Sequence, residues 1–326
     1  MTDLRRVVVV GYPAAELLDI ACVTTTLEMA NWLHGSAVYR VSLASPGGAP
    51  IHTACGLSLD SKATLERLTG PLDTLLVSGG PGYVDAMNDP GLVAHVRRLA
   101  RESRRIASVC TGAGILAATG LLNGRRAATH WEQSAALAAR YPAVEFDGDP
   151  IYVADGNVFT SAGVTAALDL TLAFIETDVG ADLARAVSRH PVTYLQRPGN
   201  QAQMSMFTAA PPPTHSLVRR TVEYITGHPD ADLSTAVLAV RAGVSERHLT
   251  RLFSAQVGVT PGRFVRRART EAAPQLLTST VLPVEAVAAR CGFGSAETLR
   301  QAFQSRFGVT PSHYGVTQGS TAGSRR

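Results

Sequence analysis

The tetrapeptide Gly258-Val259-Thr260-Pro261 returns as Gly308-Val309-Thr310-Pro311, 50 positions further on. The same offset carries Leu249 to Leu299 and Phe253 to Phe303, and Ala242-Gly243-Val244 answers Cys291-Gly292-Phe293 one residue out of step. Matches held in register over that length mark a duplicated unit, which limits the folds open to this part of the chain. Each copy reads helix, glycine turn, helix. In the first, Leu233, Val237, Leu238 and Val240 form an apolar stripe ending at Gly243, where glycine takes the left-handed turn that stops a helix. Ser245 then caps a helix over 246–257, with Leu249, Leu252 and Phe253 inward. In the second, Val284, Val287 and Ala288 precede Gly292, and Ser295 caps a helix with Leu299, Ala302 and Phe303 inward. This is the helix-turn-helix pattern, whose second helix enters the major groove of DNA.

Charge supports that reading. Residues 1–205 hold 16 Lys+Arg against 19 Asp+Glu, whereas residues 206–326 hold 14 against 7. A basic C-terminal third on an acidic body points to a polyanionic partner; a solvated basic face is the plainer alternative. Arg247, Thr250 and Arg251 share one side of the first second-helix, and Glu297, Arg300 and Gln301 hold the matching positions of the other. Arginine bonds two guanine acceptors at once, and the capping serines bring helix amides toward phosphates. Arg263, Arg266, Arg267 and Arg269 add charge on a helix starting at Pro261. Pro274 inside that helix predicts a kink or break near 270–274.

The last hundred residues resemble the AraC/XylS transcriptional regulators. The carrying strings are LAVRAGVSERHLTRLFSAQVGVTPGRFV and VAARCGFGSAETLRQAFQSRFGVTPSHY, from about Leu233 to Tyr314. The resemblance implies a monomer that sets two recognition helices in successive major-groove segments of double-stranded DNA. Ser245, Arg247, Thr250 and Arg251, with Ser295, Ala296, Glu297, Arg300 and Gln301, are then the DNA-binding candidates. Gln301 stands where the family often has arginine, which implies weaker or adenine-directed readout by the second unit.

Residues before Arg197 alternate short apolar runs with helical stretches. Strands are expected over 7–10, 39–44, 74–78, 106–109, 127–129 and 158–161, and helices over 16–32, 92–102, 113–119, 132–139 and 165–177. Such alternation gives a three-layer α/β domain with a mostly parallel sheet and ligand sites at the strands' C-terminal ends. Cys110-Thr111-Gly112 is a strand–turn–helix elbow, where a helix N-terminus is expected to lower the thiol pKa. Ser78-Gly79-Gly80-Pro81-Gly82 offers amides for an anion or oxyanion but no dinucleotide fingerprint. His130 follows a strand, and Glu16 and Asp19 open the first helix. Each has a plain structural alternative, and Cys22 and Cys55 read as core fillers.

Together these features resemble the PfpI/ThiJ branch of the flavodoxin-like, class I glutamine amidotransferase-like superfamily. Matching strings are VVGYPAAELLDIAC, LLVSGGPG, IASVCTGAGILAATGLLNGRRAATHW and FTSAGVTAALDLTLAFI. The resemblance implies Cys110, His130 and Asp19 as catalytic candidates if the domain is an enzyme. It equally implies an effector site of Asp19, Gly80, Gly82, Cys110, Thr111 and His130. The string RPGNQAQMS, from Arg197, joins the two parts, and Pro211-Pro212-Pro213 marks a semi-rigid linker.

The expected organisation is a sensing and dimerising domain over 1–197, a linker over 198–213, a DNA-binding domain over 214–315 and a disordered tail over 316–326. The expected function is a transcriptional activator responding to a small-molecule effector as a homodimer. A cysteine-dependent hydrolase or hydratase is the alternative, and a purely dimerising N-terminal domain a third reading. Four widely spaced cysteines without a CxxC fit a reducing cytoplasm. Neither metal nor cofactor is expected, and no run of about 18 apolar residues suggests a membrane span.

Overall fold

The computed structural model of the protein describes residues 4–191, 197, 199, 203 and 213–318. Internal contacts divide the chain into Met1–Gln203 and Met204–Arg326. Most of the expected linker, and residues 319–326 of the expected tail, lie outside the described residues.

The strands of the first unit are β1 (Arg5–Val10), β2 (Tyr39–Ser45), β3 (Ile51–His52), β4 (Ser58–Leu59), β5 (Ala63–Thr64), β6 (Leu72–Val77), β7 (Ser103–Val109), β8 (Arg126–Ala128), β9 (Glu145–Asp147), β10 (Tyr152–Asp155) and β11 (Val158–Ser161). Its helices are α1 (Leu17–His34), α2 (Tyr83–Asn88), α3 (Pro90–Ala100), α4 (Gly112–Ala118), α5 (Trp131–Arg140), α6 (Thr165–Asp178) and α7 (Ala181–Arg189). Seven strands form one sheet in the order β10-β11-β7-β6-β1-β2-β5. Neighbours run parallel except β10, which pairs antiparallel with β11. The central strands read as continuous apolar runs because both faces are covered: Val9, Leu75, Leu76 and Ala107 are fully buried. Helices α1, α6 and α7 pack together, as do α2, α3 and α4. The expected three-layer α/β domain is therefore present. β8 pairs with β9 in a separate two-stranded sheet, as β3 does with β4.

The second unit is all-helical: α8 (Ser216–Gly227), α9 (Thr235–Ala242), α10 (Glu246–Val257), α11 (Pro261–Ser279), α12 (Val284–Arg290), α13 (Ala296–Phe307) and α14 (Pro311–Gln318). The repeated tetrapeptide has a structural meaning. Gly258 and Gly308 take left-handed φ of 77° and 70° to end α10 and α13. Thr260 and Thr310 then cap the next helix through the amides of Arg263 and His313, and each proline begins that helix. Leu249 and Phe253 of α10, like Leu299 and Phe303 of α13, are fully buried.

Four expectations need correction. Val237 and Val240 are 38% and 81% exposed: two residues turn a helix by about 200°, so Val240 faces away from buried Leu238. The break half of the Pro274 expectation falls: helix α11 continues through that residue, with Ala268, Thr270 and Ala273 buried along it. Arg269 is structural, donating to the carbonyls of Pro229 and Ala231 at 2.9 and 2.8 Å. Cys55 is exposed rather than a core filler.

Candidate functional site

The order of the main sheet reverses between β1 and β6. From β1 it leads out to β2 and β5, and from β6 the other way to β7 and β11. Such a reversal leaves a crevice beyond the strands' C-terminal ends. Cys110 stands at this edge directly after β7, with φ 53° and 8% exposure. A Cβ added to Gly79 or Gly163 would fall 2.4 or 2.3 Å from the Cys110 Cβ, so both loops must be glycine to pass it. Among the described residues, three non-glycines have positive φ: Ala14, Cys110 and Val164. All three belong to this edge, and each such conformation costs about 1–3 kcal/mol, which the surrounding structure must offset for it to persist.

Asp19 is wholly buried and accepts from the Val164 amide at 2.5 Å and the Gly79 amide at 3.2 Å. Burial pushes its carboxyl up to about 6, with Glu16 adding to the rise and the two amides opposing it. Glu16 caps α1 through the Leu18 amide at 3.3 Å. Burial first, and the Asp19 charge second, push the Cys110 thiol up to about 12. The expected lowering is overturned: α4 has seven residues, and desolvation beside a carboxylate outweighs so short a dipole.

The glycine loop is also not open to an anion as expected. Gly79 N–H goes to Asp19, Gly80 N–H to Thr111 Oγ1 at 2.9 Å, and Gly82 N–H to the Ala14 carbonyl at 3.2 Å. Thr111 in turn donates to the Gly80 carbonyl at 3.0 Å. Asp19, Gly80, Cys110 and Thr111 are thus brought together. His130 reaches the group through its neighbour Thr129, whose hydroxyl donates to the Cys110 carbonyl at 3.0 Å. The His130 ring itself lies 4.0 Å from Glu132 and against Trp131.

Sequence reasoning missed Tyr12, whose buried hydroxyl donates to the Ser78 carbonyl at 3.1 Å. It also missed Gln203. That carboxamide donates to the carbonyls of Thr129 and Pro150 at 2.7 and 3.2 Å and accepts from the Trp131 amide at 3.0 Å. Arg197 fastens nearby, its backbone and side chain donating to buried Asp169 at 2.7 and 2.9 Å. The string RPGNQ was the available signal, read as linker alone.

In the second unit, α10 and α13 begin on their serines. Ser245 Oγ accepts from the His248 amide at 3.3 Å, and Ser295 and Thr298 cap each other reciprocally. Arg247, Arg251, Glu297 and Gln301 are exposed, and Thr250, Ala296 and Arg300 half-buried, so both candidate faces are open within their unit.

Residues 5–177 match the DJ-1/PfpI family, and residues 238–315 match a helix-turn-helix domain. The chain is 32% identical over 300 residues to the HTH-type transcriptional regulator CdhR of Pseudomonas aeruginosa, covering 92% of this chain and 88% of that protein. It is 30% identical over 317 residues to the HTH-type transcriptional regulator GlxA of Rhizobium meliloti, covering 95% and 96%. The chain belongs to the AraC-type transcriptional regulators built on a DJ-1/PfpI domain. A crystal structure of a ThiJ/PfpI family protein from Pseudomonas syringae aligns with TM-score 0.54 and 26% identity, over 68% of this chain and 86% of that one. Among the described residues, no helix is long and apolar enough to cross a membrane.

Two measurements check the electrostatics of this regulator. At pH 8, a thiol with its pKa near 12 is ionised in about one molecule in ten thousand. Exposed Cys55, whose pKa is lowered by the Thr53 hydroxyl, is expected to be alkylated by iodoacetamide at least about a hundred times faster than Cys110. Site-resolved mass spectrometry reads the two rates. Asp19 makes the second prediction. Its folded pKa near 6 lies above the ordinary 3.8, so the folded state holds the extra proton between them. The Asp19 contribution to stability therefore falls as pH rises from about 4 to 6 and is flat above. Urea midpoints of the wild type and Asp19→Ala should diverge in that sense across the window.

Proposed function

We propose that residues 1–197 of this regulator form an effector-sensing and dimerising module, joined by residues 198–213 to a DNA-binding module over residues 214–315. The observation that carries the reading is the Gln203 carboxamide. It bonds on either side of His130, to Thr129 and Trp131, and Thr129 holds the Cys110 carbonyl. A small metabolite seated among Asp19, Gly80, Gly82, Cys110, Thr111 and His130 therefore acts on groups that share bonds with the start of the linker. A ligand that prefers one arrangement of this clasp shifts the population of the regulator toward it. Cys110 serves as a wall of the site rather than a nucleophile, since nucleophilic catalysis needs a thiolate that its surroundings oppose. The homodimer presents its basic modules to two operator half-sites. Four free cysteines suit the reducing cytoplasm.

Calorimetric titration of the full chain with candidate metabolites, paired with operator gel shifts, tests this. An effector is expected to change operator affinity by about 5- to 150-fold. Gln203→Ala is expected to keep binding both DNA and effector while that change shrinks toward unity. Effector binding that leaves wild-type DNA affinity and assembly unaltered would overturn the sensing assignment.

A further inference from the structure

We infer that the two helix-turn-helix units are unequal readers: α10 offers unencumbered cations, whereas Glu285 and Glu297 hold the donors of α13 in a self-satisfied cluster. Glu285 is then a positioning residue that sets how far Arg300 contributes to DNA binding. The inference rests on the DNA-binding reading and names residues that tune it.

The 50-residue offset aligns Arg247 with Glu297, Thr250 with Arg300 and Arg251 with Gln301. The chemistry at matching positions is thus exchanged: arginine faces a carboxylate or an amide, and threonine faces arginine. On α10, Arg251 contacts only an imidazole among the described bonds, the His248 ring at 3.4 Å, and neither arginine is in an ion pair among the described residues. On α13, Arg300 reaches Glu285 Oε1 at 3.4 Å and Glu297 Oε2 at 3.5 Å. The remaining Glu297 oxygen accepts from the Gln301 carboxamide at 3.2 Å. One carboxylate therefore occupies both donors that would read bases. A second arrives from α12, outside the recognition helix. Arg306, further along α13, is bonded to Glu271 of α11 at 2.7 Å and belongs to the fold.

Each of these exposed pairs is individually weak. Their effect comes from what DNA adds: to contact a guanine, Arg300 must leave two carboxylates that then face phosphate potential. Glu297 itself can only accept, from the amino group of cytosine or adenine, and offers guanine nothing in the major groove. Arg247 and Arg251 meet no such opposition. Affinity and its salt dependence accordingly rest on the first unit, and the second adjusts them.

The test uses the full-length chain and a duplex selected by it from a random-sequence library, with gel shifts across a salt series. Arg251→Ala is expected to weaken binding by about tenfold or more, and Arg300→Ala by less than about threefold. Glu285→Gln is expected to tighten binding by about two- to fivefold and steepen its salt dependence. That gain should vanish in the Arg300→Ala background, a result that a merely structural Glu285 would not give. An Arg300→Ala loss equal to that of Arg251→Ala overturns the inference, as does a Glu285→Gln gain that is absent or survives without Arg300. Failure of the wild type to select any duplex would instead sink the DNA-binding reading itself.

Discussion

Asp178→Ala is expected to destabilise the N-terminal unit by about 3–5 kcal/mol, the loss that follows removal of one partner from a buried ion pair. The Asp178 side chain is 2% exposed at the end of α6. It accepts from Arg104 and from both terminal nitrogens of Arg105, at 2.9, 2.9 and 3.2 Å, and from the Tyr39 hydroxyl at 3.1 Å. Arg104 and Arg5 have a second carboxylate in Asp73, at 2.8 and 2.9 Å. Arg105 has no such reserve among the described bonds. Its guanidinium lies 4.0 Å from the Phe174 ring centroid and is shut off from water. Alanine at 178 therefore strands a buried cation. Both tryptophans, Trp32 and Trp131, lie in this unit, so tryptophan emission during urea unfolding reports on it alone. Arg105→Met combined with Asp178→Leu should recover much of the loss, because replacing a whole buried pair by apolar groups is often neutral. A single-variant loss below about 1 kcal/mol would mean that water reaches Arg105 after all.

This network and the Cys110 site occupy opposite edges of one sheet. Arg5, Tyr39, Asp73, Arg104 and Arg105 sit where parallel strands begin, and Cys110 sits where β7 has ended. Strand direction alone separates the residues that stabilise the layer from those that form the site. That division is why Asp178→Ala is predicted to act on stability rather than on the thiol.

The second unit was legible in advance because its signals are local. Ser245 and Ser295 cap the helices that follow them, and Gly243 ends α9 in the left-handed conformation the sequence called for, as Gly258 and Gly308 do for α10 and α13. Helices α2 and α7 and strands β9 and β10 of the first unit went unread, whereas its other longer strands and helices were legible from apolar period. Its two-residue strands β3, β4 and β5 were not, since two residues carry no period. The chemistry of the Cys110 site was hidden for a different reason. Whether the Gly79 and Gly80 amides are open depends on Asp19 and Thr111, which lie 60 and 31 residues away in the chain. The thiol pKa depends on burial, which three-dimensional packing sets. Gln203 was hidden because a Gly/Pro-containing string reads as linker whether or not one side chain is fastened down.

Phe303→Ala supplies the complementary test, with an expected cost of about 3–5 kcal/mol confined to the helix-turn-helix unit. Phe303 is fully buried on α13, with ring centroids 4.4 Å from Phe307 and 5.2 Å from Tyr314. Tyr314 belongs to α14, which packs on α11, so the ring joins the recognition helix to the long helix between the two copies. Truncation leaves a cavity at this junction, and Phe303→Leu, which removes less volume, should cost clearly less. Tryptophan emission is expected to report the wild-type transition, because neither tryptophan lies in this unit. Far-ultraviolet circular dichroism should show an additional, earlier loss of helix. In a footprint, protection should fail over the major-groove segment read by α13 while the segment read by α10 stays protected. An equal shift of the tryptophan transition would show instead that the two units unfold as one, and the modular reading of the chain would fall with it.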